Sequence, residues 1–527
     1  MKADVQRADI HSAPWFVGTT GAYLTLAFCL GGASQNNALF DLVLRLAAVP
    51  LTGWAVFRLV SEGGAPRRVL LLPALLLLAP ALQLIPLPAG LWAALPGRAV
   101  LAADLAAAGV PPVWRPLSLT PAATMDALLG LLPFIAVFFA ALAASARDRS
   151  RLWAFTGVLA LASVALGALQ VAAGPAGGFH LYGADGRAAS GTFANRNHWA
   201  AWLAASMPVL AWGLCRETEG RRAARPLSAA LLGAAFLALL AGVAISGSRA
   251  GAVVAVLAIV GGVGLLLRGR RRGRVLIPAV VAAAAGVITI AGAWAAAARF
   301  GAAAEDLRFD IWTDALRLAR DHLPFGSGGG SFSAVYAGQE NPDRMTAAFV
   351  NQAHNDWIEV LVEYGVLALA PITAAAVLLR GGAGAGRAGR FMLLALVVLL
   401  AASFVDYPLR TPALQVLAAL LFAGTHGQTG GAAGIGLRPP LRGIGGDARR
   451  HIDPPTPPSA SSVKGRRGRR ASFHGQASRL MSAPLSMAGE DGGRSGEGRV
   501  ARFRETEREG GTPRAVADRL ALVEASL

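Results

Sequence analysis

Cysteine is scarce in this chain of 527 residues, since only Cys29 and Cys215 occur. Both lie in apolar segments that the topology below places near opposite membrane faces, so we expect neither a disulfide nor a metal ligand. Lysine is equally scarce, at Lys2 and Lys464 alone, and the positive charge is therefore almost all arginine. Charged residues make up only 15% of the chain against 54% hydrophobic residues, which excludes an ordinary soluble protein.

The formal net charge of +18 would suggest a nucleic-acid partner in a soluble protein. Here the arginines lie in short loops between apolar segments and in the C-terminal tail. This distribution indicates membrane orientation, and we expect no nucleic-acid partner.

The apolar segments predict an all-α polytopic membrane protein with about twelve transmembrane helices. A transmembrane helix needs about 20 predominantly apolar residues, and the last two segments are short by that measure. The predicted segments are 15–33, 38–60, 69–86, 125–146, 152–173, 197–215, 227–246, 250–267, 275–297, 357–379, 391–406 and 411–424.

The loops between these segments alternate in arginine content, as the positive-inside rule requires. With both termini in the cytoplasm, the short arginine-rich loops are cytoplasmic: 65–68, 147–151, 216–225, 268–274 and 380–390. The opposite loops include all the long ones: 31–37, 87–124, 174–196, 246–250, 297–356 and 407–410. The first segment has a flank of mixed charge and is expected to stay uncleaved.

This pattern divides the chain into a cytoplasmic N-terminus (1–14), a membrane domain (15–424) and a basic tail (425–527). Within the membrane domain, residues 297–356 form one long outer loop with amphipathic helices. The tail is rich in Gly, Pro, Ser and Arg, which predicts a disordered cytoplasmic extension. Its stretch 464–470 could attract anionic membrane lipids, although a plain solvated tail is the alternative.

Arg308 belongs to a predicted helix over residues 304–321 in the long loop. At 100° per residue it shares a face with Trp312, Ala315 and Ala319, away from the helix's other charges. A guanidinium on an apolar face needs an anion from outside the helix. A bound phosphate is one interpretation, and snorkelling or pairing with a distant carboxylate is the other.

His354 lies where the long loop returns to the membrane, in the stretch AHNDW. Asn355, Glu359 and Glu363 follow at four-residue spacing and form an unusual polar stripe for a membrane helix. A lone histidine is often structural, but this setting suits a group that takes a proton near neutral pH. The glycine-rich stretch GSGGG at 326–330 lacks the ending of a nucleotide-binding loop and predicts a flexible turn.

Two further stretches place polar groups at the outer boundary. Four hydrogen-bonding side chains lie at the start of the sixth segment, where an asparagine could cap the helix or the group could bind a glycan or head group: Asn195, Arg196, Asn197 and His198. Arg249 lies in the short turn SGSRAG, where it either snorkels or joins Arg308 in a two-arginine clamp.

The spacing of four residues also predicts two ion pairs within the membrane domain. Asp41 and Arg45 can meet on one face of the second segment. Asp406 and Arg410 have the same spacing in the stretch DYPLR, after the eleventh segment.

The ordered stretches GTFANRNHWA, SGSRAG, RFDIWTDALRLARDHLPFGSGGGSF and AHNDWIEVLVEYG resemble the bacterial O-antigen ligase and polymerase superfamily. PLSLTPAAT and DYPLRTP add weaker support, and the resemblance covers roughly residues 69–421. It implies a glycosyltransferase of the bacterial inner membrane that acts on the periplasmic side without metal or cofactor. Members move a glycan from an undecaprenyl-diphosphate carrier to a hydroxyl of the lipid A core or of another glycan.

Residue by residue, the resemblance implies that His354 is the essential loop histidine. Arg249 and Arg308 match the arginines associated with the carrier diphosphate, and Arg196 lies in a motif whose basic residue also reaches the substrate. Asn195 and Asn197 are supporting residues in that motif.

We therefore hypothesise that His354 is the general base, held by Asn355 or Glu363, in one inverting displacement. A polymerase needs the same groups, so ligase and polymerase remain alternatives at this point. A small-anion transporter is a further alternative, although transporters tend to place ionisable groups near the midplane.

Overall fold

A computed structural model describes residues 14–34, 37–62, 64–65, 67–174, 177–182, 188–219, 226–268, 308–340, 349–382 and 386–426. These residues are almost entirely helical. The only sheet among them pairs two short antiparallel strands, β1 (Pro86–Leu87) and β2 (Arg115–Pro116).

Seventeen α-helices follow one another through the described ranges. The first eleven are α1 (Pro14–Leu30), α2 (Ala38–Ser61), α3 (Arg67–Gln83), α4 (Ala89–Ala93), α5 (Ala99–Ala107), α6 (Pro121–Leu129), α7 (Leu132–Ala143), α8 (Ala146–Ala173), α9 (Arg196–Glu219), α10 (Pro226–Ser246) and α11 (Arg249–Leu267). The others are α12 (Arg308–His322), α13 (Phe332–Ala337), α14 (Asp356–Tyr364), α15 (Leu369–Gly382), α16 (Arg387–Ala402) and α17 (Pro412–Thr425). Two 3₁₀ turns, Gly365–Ala368 and Pro408–Arg410, precede α15 and α17.

Five helical stretches are long and apolar enough to cross a membrane: Ala38–Ser61, Pro121–Ala143, Ala146–Ala173, Arg249–Leu267 and Asp356–Gly381. This confirms the predicted all-α membrane fold. The count of twelve stays a prediction, since the ninth predicted segment (275–297) lies outside the described residues. The N-terminal residues 1–13 and the tail from 427 onward also lie outside them.

Small residues let α9 pack closely against its neighbours in the membrane domain. A Cβ added at Gly251 of α11 would lie 2.3 Å from the Cβ of Ala200, and one at Gly242 of α10 would lie 2.6 Å from Leu203. Helices in lipid gain little from hydrophobic exclusion, so close backbone approach is a main source of their association. The first half of α9 is thereby held against the start of α11 and the end of α10.

The long loop builds a small hydrophobic core of its own between α12, α13 and α14. The buried members of this core are Ile311, Ala315, Leu318, Ala319, Phe332, Tyr336, Ala353 and Val362. Ala315 and Ala319 lie on the predicted apolar face of the helix, which packs on protein. Trp312 on that face donates its indole N–H to the carbonyl of Ala353 at 2.9 Å. This bond fixes α12 beside the residue that precedes His354.

The prediction that Arg45 pairs with Asp41 is wrong. Arg45 donates to Asp126 at the end of α6 instead, with 2.5 Å between the guanidinium Nη1 and the carboxylate Oδ1. The bond joins two helices, which spacing within one helix could not indicate.

The glycine-rich stretch 326–330 is a buried loop, and the predicted flexible turn is wrong. Its backbone N–H groups donate to Val362 and Glu363 at 2.9 Å each and to the side chain of Gln83 at 2.9 Å. Thr124, from the stretch PLSLTPAAT, donates its hydroxyl to Gly329 at 2.8 Å. The glycines are needed for close packing and for the positive φ of Gly326, at +77°.

Gly326→Ala is expected to lower the free energy of unfolding by about 2 to 5 kcal/mol, from left-handed strain and overpacking. The added Cβ would lie 2.2 Å from the carbonyl oxygen of Glu363. Gly338→Ala is the matched control, since its Cβ would meet nothing closer than 3.6 Å and its φ is −73°. Thermal unfolding in one detergent measures both variants, and equal midpoints would contradict the close packing of this loop.

Candidate active site around a buried carboxylate

Asp406 is the centre of the candidate site. It lies in the turn between α16 and the 3₁₀ turn Pro408–Arg410, and only 2% of the residue is exposed. Its Oδ1 accepts the backbone N–H of Tyr407 at 3.0 Å. Its Oδ2 accepts the amides of Asn197 at 2.6 Å and Asn195 at 3.4 Å. Several segments therefore converge on one carboxylate.

His354 contacts the same carboxylate from the end of the long loop. Its Nδ1 lies 3.3 Å from Asp406 Oδ1, while 29% of its side chain remains exposed. Its φ of +50° is uncommon for a residue other than glycine, and such strained positions occur often at functional sites. One edge of the imidazole is thus held by Asp406 while part of the ring stays accessible.

The start of α14 fixes the position of His354. Asn355 caps this helix, because its side-chain oxygen accepts the N–H groups of Trp357 at 3.0 Å and Ile358 at 3.1 Å. Its amide donates to the carbonyl of Phe404 at 2.9 Å, in the turn that carries Asp406. The structure corrects the partner of His354, which is Asp406 rather than the predicted Asn355 or Glu363.

Arg308 approaches the carboxylate from α12. Its Nη2 lies 3.8 Å from Asp406 Oδ2, which is an ion pair but too long for a hydrogen bond. A carboxylate from another segment therefore faces this guanidinium, one of the two interpretations that the sequence left open.

Asn195 and Asn197 lie at the start of α9 and contact Asp406, while their binding of a glycan or head group stays a prediction. Asn195 accepts the N–H of Asn197 at 2.8 Å beside the start of α9, and both amides reach Asp406. Asn197 also accepts the hydroxyl of Ser248 at 2.7 Å. Ser248 caps α11, because its hydroxyl accepts the N–H of Gly251 at 2.8 Å. The helices α9 and α11 therefore begin side by side next to Asp406.

Arg196 and Arg249 are the first residues of α9 and α11, and both are exposed. Arg249 directly follows Ser248, and a Cβ on Gly247 would lie 3.7 Å from the guanidinium of Arg196. The N-terminus of a helix carries partial positive charge and unpaired N–H groups, which favour anions. Two such helix starts, each with an arginine, lie beside the cluster that contains Arg308 and His354.

Arg410 belongs to a second ion network, separate from the contacts of Asp406. Its guanidinium lies 2.7 Å from Glu363 Oε2 and 3.2 Å from Glu359 Oε1, and its Nε lies 4.0 Å from Asp356. The predicted pair between Asp406 and Arg410 is therefore wrong. The polar stripe of α14 attaches that helix to the turn Pro408–Arg410.

Electrostatics keep Asp406 ionised. Burial alone would raise the pKa of this carboxyl, but the nearby imidazoles of His198 and His354 hold the pKa well below its usual range. His198 lies with its Nε2 3.6 Å from Asp406 Oδ1. Among the residues described, no group of three or more His, Cys, Asp or Glu side chains could hold a metal ion.

Sequence reasoning missed Asp406 and Tyr407 as members of the site. Their signal was the stretch DYPLR, which was interpreted through a local ion pair instead. His198 was included in the polar group at the start of the sixth segment, but its approach to Asp406 was not predicted.

The fold and site define a polytopic helical membrane protein with arginines and a histidine around one buried carboxylate. Residues 234–373 match the family model described as Wzy_C, O-antigen ligase. This match supports a relationship of the chain to the O-antigen ligase and polymerase superfamily. Arg249, Arg308 and His354 lie within the matched residues, whereas Asp406 lies beyond them. No curated protein and no solved structure matches the chain.

The family is glycosyltransferase-like, with lipid-linked glycans and polysaccharides as its substrates. Together with the apolar helices, the match indicates a bacterial membrane protein.

Arg410→Met is expected to lower the free energy of unfolding by about 3 kcal/mol, the low end for breaking a buried ion pair, because Glu359 and Glu363 lose their cation. Arg317→Met is the control, since Arg317 pairs with Asp314 at 2.9 Å but is 66% exposed. Exposed pairs contribute about 0–1 kcal/mol. Chemical unfolding in detergent measures both, and equal losses would argue against a structural role for the Arg410 network.

Proposed function

We propose that this chain transfers a glycan from undecaprenyl diphosphate to an acceptor hydroxyl, on the periplasmic face of the bacterial inner membrane. The acceptor is the lipid A core, as in a ligase, and the reaction inverts the anomeric centre without a metal ion. The supporting observation is that Asp406 faces His354 on one oxygen and Arg308 on the other. A proton acceptor and an anion-binding group are thereby held at a fixed separation.

His354 acts as the general base in this proposal. With Nδ1–H directed at Asp406, the neutral imidazole presents its Nε2 lone pair to the acceptor hydroxyl. The hydroxyl oxygen attacks the anomeric carbon while its proton passes to Nε2. Asp406 stabilises the imidazolium that forms, as a buried carboxylate does in a serine protease triad.

The arginines serve the leaving group. As the bond between the anomeric carbon and the diphosphate breaks, negative charge develops on the diphosphate oxygens. Arg308, Arg249 and Arg196 stabilise that charge with charge-assisted hydrogen bonds, and the N-termini of α9 and α11 add their partial positive charge. The diphosphate leaves on the carrier lipid, and the transferred glycan keeps the acceptor oxygen.

His354→Ala is expected to lower glycan transfer about 10²- to 10⁴-fold, the usual contribution of a general base, while donor binding persists. His426→Ala is the control, because that ring stacks on Phe422 and takes no part in the Asp406 cluster. Transfer is measured with purified protein in nanodiscs and a lipid-linked glycan. Undiminished transfer by the His354 variant would remove the assignment.

Arg308→Ala is expected to lower kcat/KM for the lipid-linked donor about 10- to 100-fold, since a hydrogen bond to a charged group contributes about 1.5–3 kcal/mol. Arg317→Ala, on the same helix but 66% exposed, is expected to leave kcat/KM unchanged. Steady-state kinetics with varied donor concentration compares the two. Equal effects of the two substitutions would mean that Arg308 does not contact the diphosphate.

A polymerase of the same superfamily would use the same groups and differ in its acceptor. Deletion of the gene, followed by gel analysis of surface glycans, separates the two activities. Loss of capped lipopolysaccharide with accumulated carrier-linked chains supports the ligase, whereas chains of one repeat support the polymerase.

A further inference from the structure

His198 is a second histidine at the candidate site. Only 1% of the residue is exposed, and neither ring nitrogen has a hydrogen-bond partner. Its Nε2 lies 3.6 Å from Asp406 Oδ1, just beyond hydrogen-bond distance. A buried polar group without a partner is costly, so its presence requires an explanation.

The two histidines approach Asp406 in a similar way. The His198 ring meets the Tyr407 ring edge-on at 4.7 Å, and the His354 ring meets the same ring at 5.0 Å. Both then direct a nitrogen at Oδ1, at 3.6 Å and 3.3 Å. They therefore compete for the same oxygen.

We infer that His198 is a positioning residue of the proposed transfer reaction: it shares Asp406 Oδ1 with His354 and so weakens the hold of that carboxylate on a proton of His354. The inference rests on the proposed function, whereas the contacts of the two histidines with Asp406 do not depend on it. A base that is bound too tightly to a carboxylate stays protonated and cannot accept the proton of a hydroxyl.

The direction of the effect does not depend on the charge of His198. A neutral His198 that donates its Nε2–H to Oδ1 withdraws part of the acceptor from His354. A protonated His198 adds a positive charge that disfavours a second imidazolium. In both states, removal of His198 strengthens the hold of Asp406 on a proton of His354.

Several other charged or titratable groups lie near His198 and His354. Asp356 at the start of α14 is close enough to interact electrostatically with His198, and Arg308 faces the other oxygen of Asp406. Arg196 and Arg249 lie at the starts of α9 and α11. Burial raises the pKa of Tyr407 to about 12, so its hydroxyl stays neutral.

The test measures the protonation of His354 directly. Diethyl pyrocarbonate modifies neutral imidazoles, and His354 is 29% exposed whereas the His198 side chain is 2% exposed. The modification rate of the His354 peptide, followed by mass spectrometry over a pH series, gives a protonation midpoint. This measurement uses the full chain in nanodiscs and needs no transfer activity.

His198→Phe is expected to raise the midpoint of His354 by about one pH unit, the lower end for removing a neighbouring charge or donor. His198→Gln keeps an N–H donor of similar reach and is expected to leave the midpoint close to that of the parent protein. An unchanged midpoint in the Phe variant overturns the inference. If the Phe variant does not yield folded protein, His198→Leu replaces it.

A double-mutant comparison tests whether Asp406 mediates the effect. Asp406→Asn with and without His198→Phe is expected to give one midpoint, because the shared acceptor is already gone. A shift that persists in the Asn background overturns the inference.

The acidic limb of the pH profile of kcat/KM for transfer is expected to move with the protonation midpoint of His354 in each variant. Transfer that survives His354→Ala would refute the proposed function and leave the midpoint result intact, so the two failures are distinguishable.

Discussion

A carboxylate taken out of water must find donors or cations, because an unpaired buried charge costs several kcal/mol. Asp406 satisfies this constraint with groups from four separate segments: its own turn, the start of α9, the end of the long loop and α12. Each of these groups directs a donor or a positive charge at the carboxylate. The arrangement of the site follows from the partners that one side chain requires.

The turn that carries Asp406 also carries Arg410, and the two residues have opposite electrostatic surroundings. Asp406 is an anion among cations and amide donors, while Arg410 is a cation among the carboxylates of α14. The turn is thus attached to α9 and α12 through one residue and to α14 through the other. A displacement of the turn would break both networks at once, which favours a fixed geometry at the candidate site.

Much of the fold could be predicted from the sequence, since apolar length and arginine-rich loops depend only on local composition. The helix of Arg308, its buried face and its need for an anion from outside the helix also followed from periodicity. The role of Asp406 could not be predicted, because its partners lie far away in the chain. Four-residue spacing suggested Arg410 instead, and the 3₁₀ turn Pro408–Arg410 makes that helical spacing irrelevant. The prediction of a flexible turn at 326–330 was wrong for a similar reason. Burial of this loop against Gln83 and α14 depends on distant segments and leaves no signal in the local sequence.

Trp312 has one more consequence for the proposed chemistry. Its indole holds the carbonyl of Ala353, so the segment that carries Arg308 is bonded directly to the backbone beside His354. In the proposed reaction, the arginine that meets the phosphates and the histidine that takes the proton are therefore joined by a single indole hydrogen bond, and a spacing set in this way does not depend on the bound sugar.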